Sequence, residues 1–387
     1  MPALAARTAG RAIDFPNLDG LRTVAFLAVF LQHGLGQELR LQHPALRALA
    51  TALLSLGGIG VSFFFVLSGF LITYLMLEEI RRTGTVQVGA FIVRRILRIW
   101  PLYYSVIVFV LLVYPRAKAV LGLSTHIEVA DLAYYFLFLS NFAVLALGRG
   151  HGALSANITW SVAIEEQFYL AWPVLLRFTP RRHYGILFGG IVAASLLFRW
   201  RNAADGITIY FHTFSVVSDL AVGALAALWA FDAPRVRSRF HDWTRGEELC
   251  FYTLVWVVVL CREPLFTIVL HPAVERLVTG ALFAVVILQQ NYGAPGPLKM
   301  ERRRWLTGLG KYTYGLYLLH PIAIQFVVQV AEPALPPLGP NLKALTTSVL
   351  ALPLSVGLAY TSYRLIERPF LKLKPRFSPL APRAAAA

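Results

Sequence analysis

Apolar stretches of roughly 20 residues recur from one end of this 387-residue sequence to the other, each about long enough to cross a ~30 Å hydrocarbon core as a helix. In lipid the backbone must satisfy its own hydrogen bonds, which directs such a chain to an all-α fold, a polytopic membrane helical bundle. Only 14% of residues are charged and 57% are hydrophobic, against roughly 25% charged for a soluble domain. No soluble domain of useful size is left over. The expected organisation is a cytoplasmic segment over 1–17, a membrane domain over 18–370 and a cytoplasmic tail over 371–387. The opening MPALAARTAGRAIDFP has no continuous apolar core ending in a cleavage site, so no removable signal peptide is expected.

About ten transmembrane helices are expected, at roughly 18–38, 53–77, 97–114, 159–176, 184–199, 208–230, 249–262, 265–289, 312–331 and 345–365. Basic clusters at Arg7/Arg11/Arg22, Arg81 to Arg98, Arg177 to Arg182, Arg235 to Arg245, Lys299 to Lys311 and Arg368 to Arg376 all fall on one side if two crossings separate consecutive clusters. By the positive-inside rule that side is the cytoplasm, and both termini lie there. Residues 132–147, LAYYFLFLSNFAVLAL, must then be denied a full crossing, which makes 115–158 an extracytoplasmic excursion with an interfacial or re-entrant helix. Eleven spans are the alternative. The same flanking pattern accounts for the net charge of +16 without nucleic acid as a partner. Cys250 and Cys261, ~16 Å apart on one helix, are too far apart to bridge, and no metal site follows. No internal repeat of the transporter kind is evident.

Ionisable groups inside apolar runs mark function by default, because burying them is costly. In LDGLRTVAFLAVFLQHG, Arg22 lies near the cytoplasmic end and His33 eleven residues on, ~16 Å deeper. That places His33 near mid-membrane, able to accept and return a proton; the alternative is a core histidine bonded to a neighbouring helix. In FIVRRILRIWPLYY, Arg95 and Arg98 share a helical face and form a fork suited to phosphates, with positive-inside anchoring as the competing reading. In WSVAIEEQFYLAWP, Ser161, Glu165 and Tyr169 follow at i, i+4 and i+8 near an outer helix end, with Glu165 placed to bind a hydroxyl and Glu166 directed elsewhere, to the interface. His320 in KYTYGLYLLHP approaches the depth of His33, with a structural histidine capped by Pro321 as the competing reading. Asp219 is expected to pair with a neighbouring helix, and Ser68 and Gly69 to serve packing.

Together these stretches resemble the membrane acyltransferase family 3, acyl-CoA-dependent O-acyltransferases of surface polysaccharides, peptidoglycan, glucans and some natural products. The resemblance runs from Leu18 to about Phe370, through FFFVLSGFLI, YGLYLLHP and the closing IERPF as well as the stretches above. The family's Arg-x10-His falls on Arg22 and His33, its Arg-x-x-Arg on Arg95 and Arg98, its Ser-x-x-x-Glu-x-x-x-Tyr on Ser161, Glu165 and Tyr169, and its late Leu-His on His320. A Thr313-Tyr314 pair replaces the commoner Ser-Tyr start of that late motif. The resemblance implies an integral cell-membrane enzyme, in a bacterium the inner membrane, with a cytosolic acyl-CoA donor, acetyl-CoA foremost, no metal, and a carbohydrate or other hydroxyl-bearing acceptor outside. Arg95 and Arg98 would hold donor phosphates; His33 would act either as general base or as acyl carrier; Arg22 would support it, and Ser161, Glu165 and Tyr169 would orient the acceptor. Some members append a hydrolase-like domain; with 17 residues after Phe370, such a partner is expected as a separate periplasmic protein. Competing readings are a transporter or flippase of a glycan or lipid carrier, and an acyltransferase acting on a small natural product such as a macrolide.

Overall fold

The computed structural model describes residues 15–35, 43–120, 132–148 and 154–377, and these are helical with no strand. The long helices are α1 (Pro16–Leu35), α2 (Leu56–Thr83), α3 (Val88–Val108), α4 (Thr159–Phe178), α5 (Tyr184–Arg201), α6 (Thr213–Asp232), α7 (Arg245–Leu260), α8 (Glu275–Tyr292), α9 (Thr313–Phe326) and α10 (Pro340–Ser362). Local chemistry sets several ends. Gly84 closes α2 in the left-handed region at φ 80°, donating its N–H to Ile80 O at 2.8 Å, where a side chain would be strained. Thr244 and Glu247 form a reciprocal capping box at the start of α7.

Among the described residues seven helical segments are long and apolar enough to cross a membrane, or eight when the bent pair Arg245–Leu260 and Arg262–Val269, turned by 74°, counts as one. The helices that miss this standard, α1 and α4, are 20 residues each, ~30 Å by helical rise. They carry Asp19, Arg22, Glu165, Glu166 and Arg177. Both bear candidate residues, whereas Arg95 and Arg98 on α3 and His320 on α9 sit on helices that meet the standard. The terminal segments 1–14 and 378–387, on which the expected sidedness of the termini rests, lie outside the described residues.

Residues 132–147 do not form a spanning helix. They break into Leu132–Phe136 and Ser140–Leu147 at Phe138, which sits at φ 54°, a costly conformation for an aromatic residue. Compensation comes from α3 and α4: the Phe138 ring packs 4.4 Å from that of Tyr103, Tyr103 donates to Tyr135 O at 2.8 Å, and Gln167 donates to Phe138 O at 2.9 Å.

The core is built on α2 and α6. A Cβ on Gly69 would lie 2.0 Å from Leu220 O, and one on Gly223 2.0 Å from Val66 O, so only glycine permits the two backbones to approach this closely. Asp219, fully buried on α6, accepts from Arg276 of α8 at 2.7 Å, and Arg276 also donates to Ser62 of α2 at 3.0 Å. The carboxylate read as an interhelical partner is one. α1 packs against α2, α9, α10 and the short helix Arg304–Gly310, with Thr23 donating to Leu306 O at 2.8 Å.

Described members of three basic clusters gather at one end. Arg177 donates to Val86 O at 2.8 Å, Arg181 pairs with Asp232, and Arg94 donates to Phe377 O at 2.6 Å. We call this the arginine-rich end and its opposite the far end.

Candidate active site

α1 starts at the arginine-rich end, where Asn17 accepts the backbone N–H of Glu301 at 2.8 Å. Arg22 already lies two turns along, so His33 reaches the last turn of the helix. His33 is therefore near the far end of α1, while the stretch Thr313–Ala334, which bears its partner His320 at the eighth position, continues fourteen residues beyond it. Its ring lies edge to edge with that of His320, centroids 5.1 Å apart and planes 12° from parallel, with His33 Nδ1 2.8 Å from His320 Nε2. The two histidines, 287 positions apart in the chain, form one unit.

The proton positions follow from the surroundings. His320 Nδ1 lies 3.1 Å from Leu316 O, an acceptor, so that nitrogen carries the proton. Its Nε2 then accepts, and His33 Nδ1 must donate to it. This leaves Nε2 of His33 as the unprotonated nitrogen of the pair. Pro321 follows His320 directly and has no N–H for the carbonyl one turn back, which loosens the helix where the imidazole turns onto its own backbone. His320 is fully buried and edge-packed by Phe26 and Phe30, so its ring has one orientation.

His33 lines a cavity of ≈ 480 Å³ with Gln32, Asn157, Trp160, Tyr210 and Tyr317. Ser161 reaches the same wall through Tyr317, their hydroxyls 2.7 Å apart. A larger apolar hollow of ≈ 600 Å³ between α4, α5 and α6 touches none of the candidate residues.

The expected stripe on α4 is present but divided. Ser161 belongs with the histidines. Glu165 accepts from Ser68 of α2 at 2.7 Å and from Tyr169 at 3.2 Å; Tyr169 in turn lies under the Arg95 guanidinium, 5.3 Å from ring centroid to Cζ. The lower two-thirds of the stripe therefore faces the arginine-rich end, not an acceptor arriving at the far end, because α4 runs from the cavity at Trp160 down to Arg177. Ser68, read from sequence as a packing residue, is a polar partner of Glu165. Glu166, expected at the interface, is 3% exposed and accepts the Trp100 indole N–H at 2.9 Å. A glutamate one position off the stripe gives no sequence signal for this; the Trp100 that meets it is 66 residues away.

Arg95 is held between the rings of Phe91 and Tyr169, at 5.1 and 5.3 Å, and its Nε is buried without a hydrogen-bond partner. Among the described residues no ion pair joins Arg95 or Arg98 to a carboxylate, whereas Arg94 pairs with buried Glu79 at 3.0 Å. Arg22 is bound by Asp19 and lies within electrostatic reach of Arg98 and Tyr169. Arg22, Arg95 and Arg98 thus come together, from helices α1 and α3, beneath Glu165. No cluster of three or more potential metal ligands occurs among the described residues.

A family model described as an acyltransferase domain matches residues 15–364, nearly all of the chain. The chain belongs to this acyltransferase family. Similar proteins include the peptidoglycan O-acetyltransferase OatA of Listeria monocytogenes, 28% identical over 383 residues, and a Staphylococcus aureus protein named "Putative O-acetyltransferase", 28% identical over 382 residues. Each match covers 92% of this chain but only 56% and 57% of the relatives, so the acyltransferase chain spans a little over half their length. No solved structure matches it. Family membership puts a reaction class beside the geometry: an unprotonated imidazole nitrogen at the far end, and a group of cations one helix length below.

Proposed function

We propose that this domain is a multi-pass cell-membrane O-acyltransferase, moving an acyl group, acetyl foremost, from cytosolic acyl-CoA to a hydroxyl of an extracytoplasmic carbohydrate. The observation that carries it is the chain Leu316 O, His320, His33, which presents Nε2 of His33 as a base on the wall of a cavity at the end opposite the arginines. The names of the bacterial relatives supply the acetyl group and, for the Listeria protein, a carbohydrate polymer as acceptor.

The donor phosphates lie against Arg95 and Arg98, at the cytoplasmic side by the positive-inside rule. The ~16 Å of helix between Arg22 and His33 is the stretch that the pantetheine arm has to cover, past Arg22, Tyr169 and Glu165. Held rigid by Ser68 and Tyr169, Glu165 lines this route; Ser161 fixes the Tyr317 hydroxyl beside the acceptor cavity. At His33 the acceptor oxygen attacks the thioester carbonyl while Nε2 takes the hydroxyl proton. The tetrahedral intermediate then expels the thiolate, the C–S bond breaks, and Nε2 returns the proton to sulfur. His320 keeps Nδ1 of His33 as the donor and supports the positive charge on the ring between these two transfers, as the third member of a catalytic triad does. The same free nitrogen also suits the covalent variant, in which it takes the acyl group first.

Purified protein in liposomes, given acetyl-CoA labelled in the acetyl group and an acceptor glycan outside, is expected to consume the thioester and label the glycan. His33→Ala is expected to lower this by more than about a hundredfold with the protein still folded in the membrane. Glycan movement without thioester loss would establish the transport reading instead.

A further inference from the structure

The turn Lys374–Phe377 lies outside the residues 15–364 that the family model matches, and it folds back onto the start of α3. Arg94 clasps it there, donating Nη1 to Phe377 O at 2.6 Å while Nη2 holds Glu79 at 3.0 Å. This clasp sets Lys374, half-buried, within reach of the charges of Arg95, Arg98 and Arg94. A lysine packed into a group of arginines is repelled by each of them, by about 4 kcal/mol for a pair 4 Å apart near a protein surface. The carboxylates nearby are otherwise engaged: Glu79 by Arg94 and the Gln87 N–H, Glu166 by Trp100, and Glu367 by Ser362. Among the described residues Lys374 makes no ion pair. Arg95 Nε beside it is buried and unpartnered.

We propose that Lys374 binds the donor directly, sharing the phosphates of a nucleotide thioester with Arg95 and Arg98, so that the returning turn forms one wall of the phosphate site. The ligand class is a nucleotide bearing several phosphate charges, since one monoanion would leave three cations under-neutralised. Lys374 lies beyond the last span; burial first, and then the charges of Arg95, Arg98 and Arg94, pull its ammonium down to about 7. A bound phosphate restores that proton and removes the repulsion. The proposal rests on the donor reading above.

The test uses the full chain in lipid nanodiscs, with coenzyme A as the binding probe and two donors for turnover, acetyl-CoA and S-acetylpantetheine, which lacks the nucleotide phosphates. Lys374→Gln is expected to weaken coenzyme A binding about tenfold, the size of one charged hydrogen bond, and Lys374→Arg to stay within about twofold of wild type. The KM for acetyl-CoA should rise in Lys374→Gln while turnover of S-acetylpantetheine stays the same. Unchanged coenzyme A affinity overturns the proposal, and so does an equal loss with both donors, which would make the lysine only a packing residue. Wild-type protein that takes up no coenzyme A would sink the donor reading and this one with it, a failure visible before any substitution is made.

Discussion

Toward the far end, three of the four ring nitrogens of His33 and His320 are engaged along one hydrogen-bonded chain that begins at Leu316 O, whereas at the arginine-rich end no ion pair among the described residues joins Arg95 or Arg98 to a carboxylate, and the buried Nε of Arg95 is unbonded. The same bundle shows that it can neutralise a buried arginine when structure alone is at stake: Arg276 has Asp219, Ser62 and nothing left to do, and Arg94 has Glu79. A buried guanidinium nitrogen without a partner is costly, so the unbonded Nε of Arg95, with Arg98 on the same helix face, supports the proposed site completed by an anion from outside. The histidine pair needs no such completion. On the proposed reading it is a pre-organised base, the arginine group is a receptor for charge, and ~16 Å of helix separates them.

The widest separation between the two ends should appear when the cations are removed. Arg95→Gln with Arg98→Gln is expected to raise the KM for acetyl-CoA by at least about a hundredfold, two charged hydrogen bonds at roughly 1.5 kcal/mol or more each, and to leave kcat at saturating donor within about threefold. An unchanged KM would make the pair a topological anchor, and the contrast with Arg276 would lose its meaning.

Substitution at the other end should move the opposite constant. His320→Leu deletes the acceptor that fixes the His33 tautomer and is expected to cut kcat by about thirtyfold, within the 10–100-fold range typical of a partner that orients an active imidazole, with the donor KM unchanged. His320→Gln, whose carbonyl oxygen can stand near the lost Nε2, should recover much of this. If glutamine is as poor as leucine, the histidine does something other than accept from His33, and the proton assignment from Leu316 O is wrong.

The sequence discloses these ends unequally. Arg22, His33, Arg95 and Arg98 are readable because charge inside or beside an apolar run is rare and because helical spacing puts the arginines on one face. Helix spacing says nothing about contacts between helices, which is why the pairing of His33 with a residue 287 positions away, the bond from Ser68 to Glu165 and the burial of Glu166 against Trp100 appear only in the fold. The stripe on α4 is one face in the sequence, yet eight residues along a helix are ~12 Å, so its two ends meet different neighbours. Residues 132–147 are legible as a non-crossing segment from their shortness and the sidedness of the basic clusters, with the reason, the break at Phe138, supplied by three-dimensional contacts.

The smallest expected effect is also the most selective, because it titrates one end only. Lys374, drawn down to about 7 by burial and by Arg95, Arg98 and Arg94, is charged below that pH and neutral above it. The groups around it are those three arginines on α3, which stay protonated throughout, and Glu367, beside Arg98. A phosphate favours the charged amine, so the bound lysine holds its proton to higher pH than the free one, and donor affinity is full below about 7 and falls as pH rises past it. A phosphate monoester gains its second charge near pH 6, which strengthens binding and is nearly complete before the lysine effect sets in. The KM for acetyl-CoA should therefore rise by about fivefold between pH 7 and 8.5 in wild type and stay flat in Lys374→Arg, whose guanidinium does not titrate in this range. A rise shared by both proteins would place the titrating group elsewhere, and a flat wild-type profile would mean that the lysine is already fully charged, with its repulsion relieved by a partner within the protein.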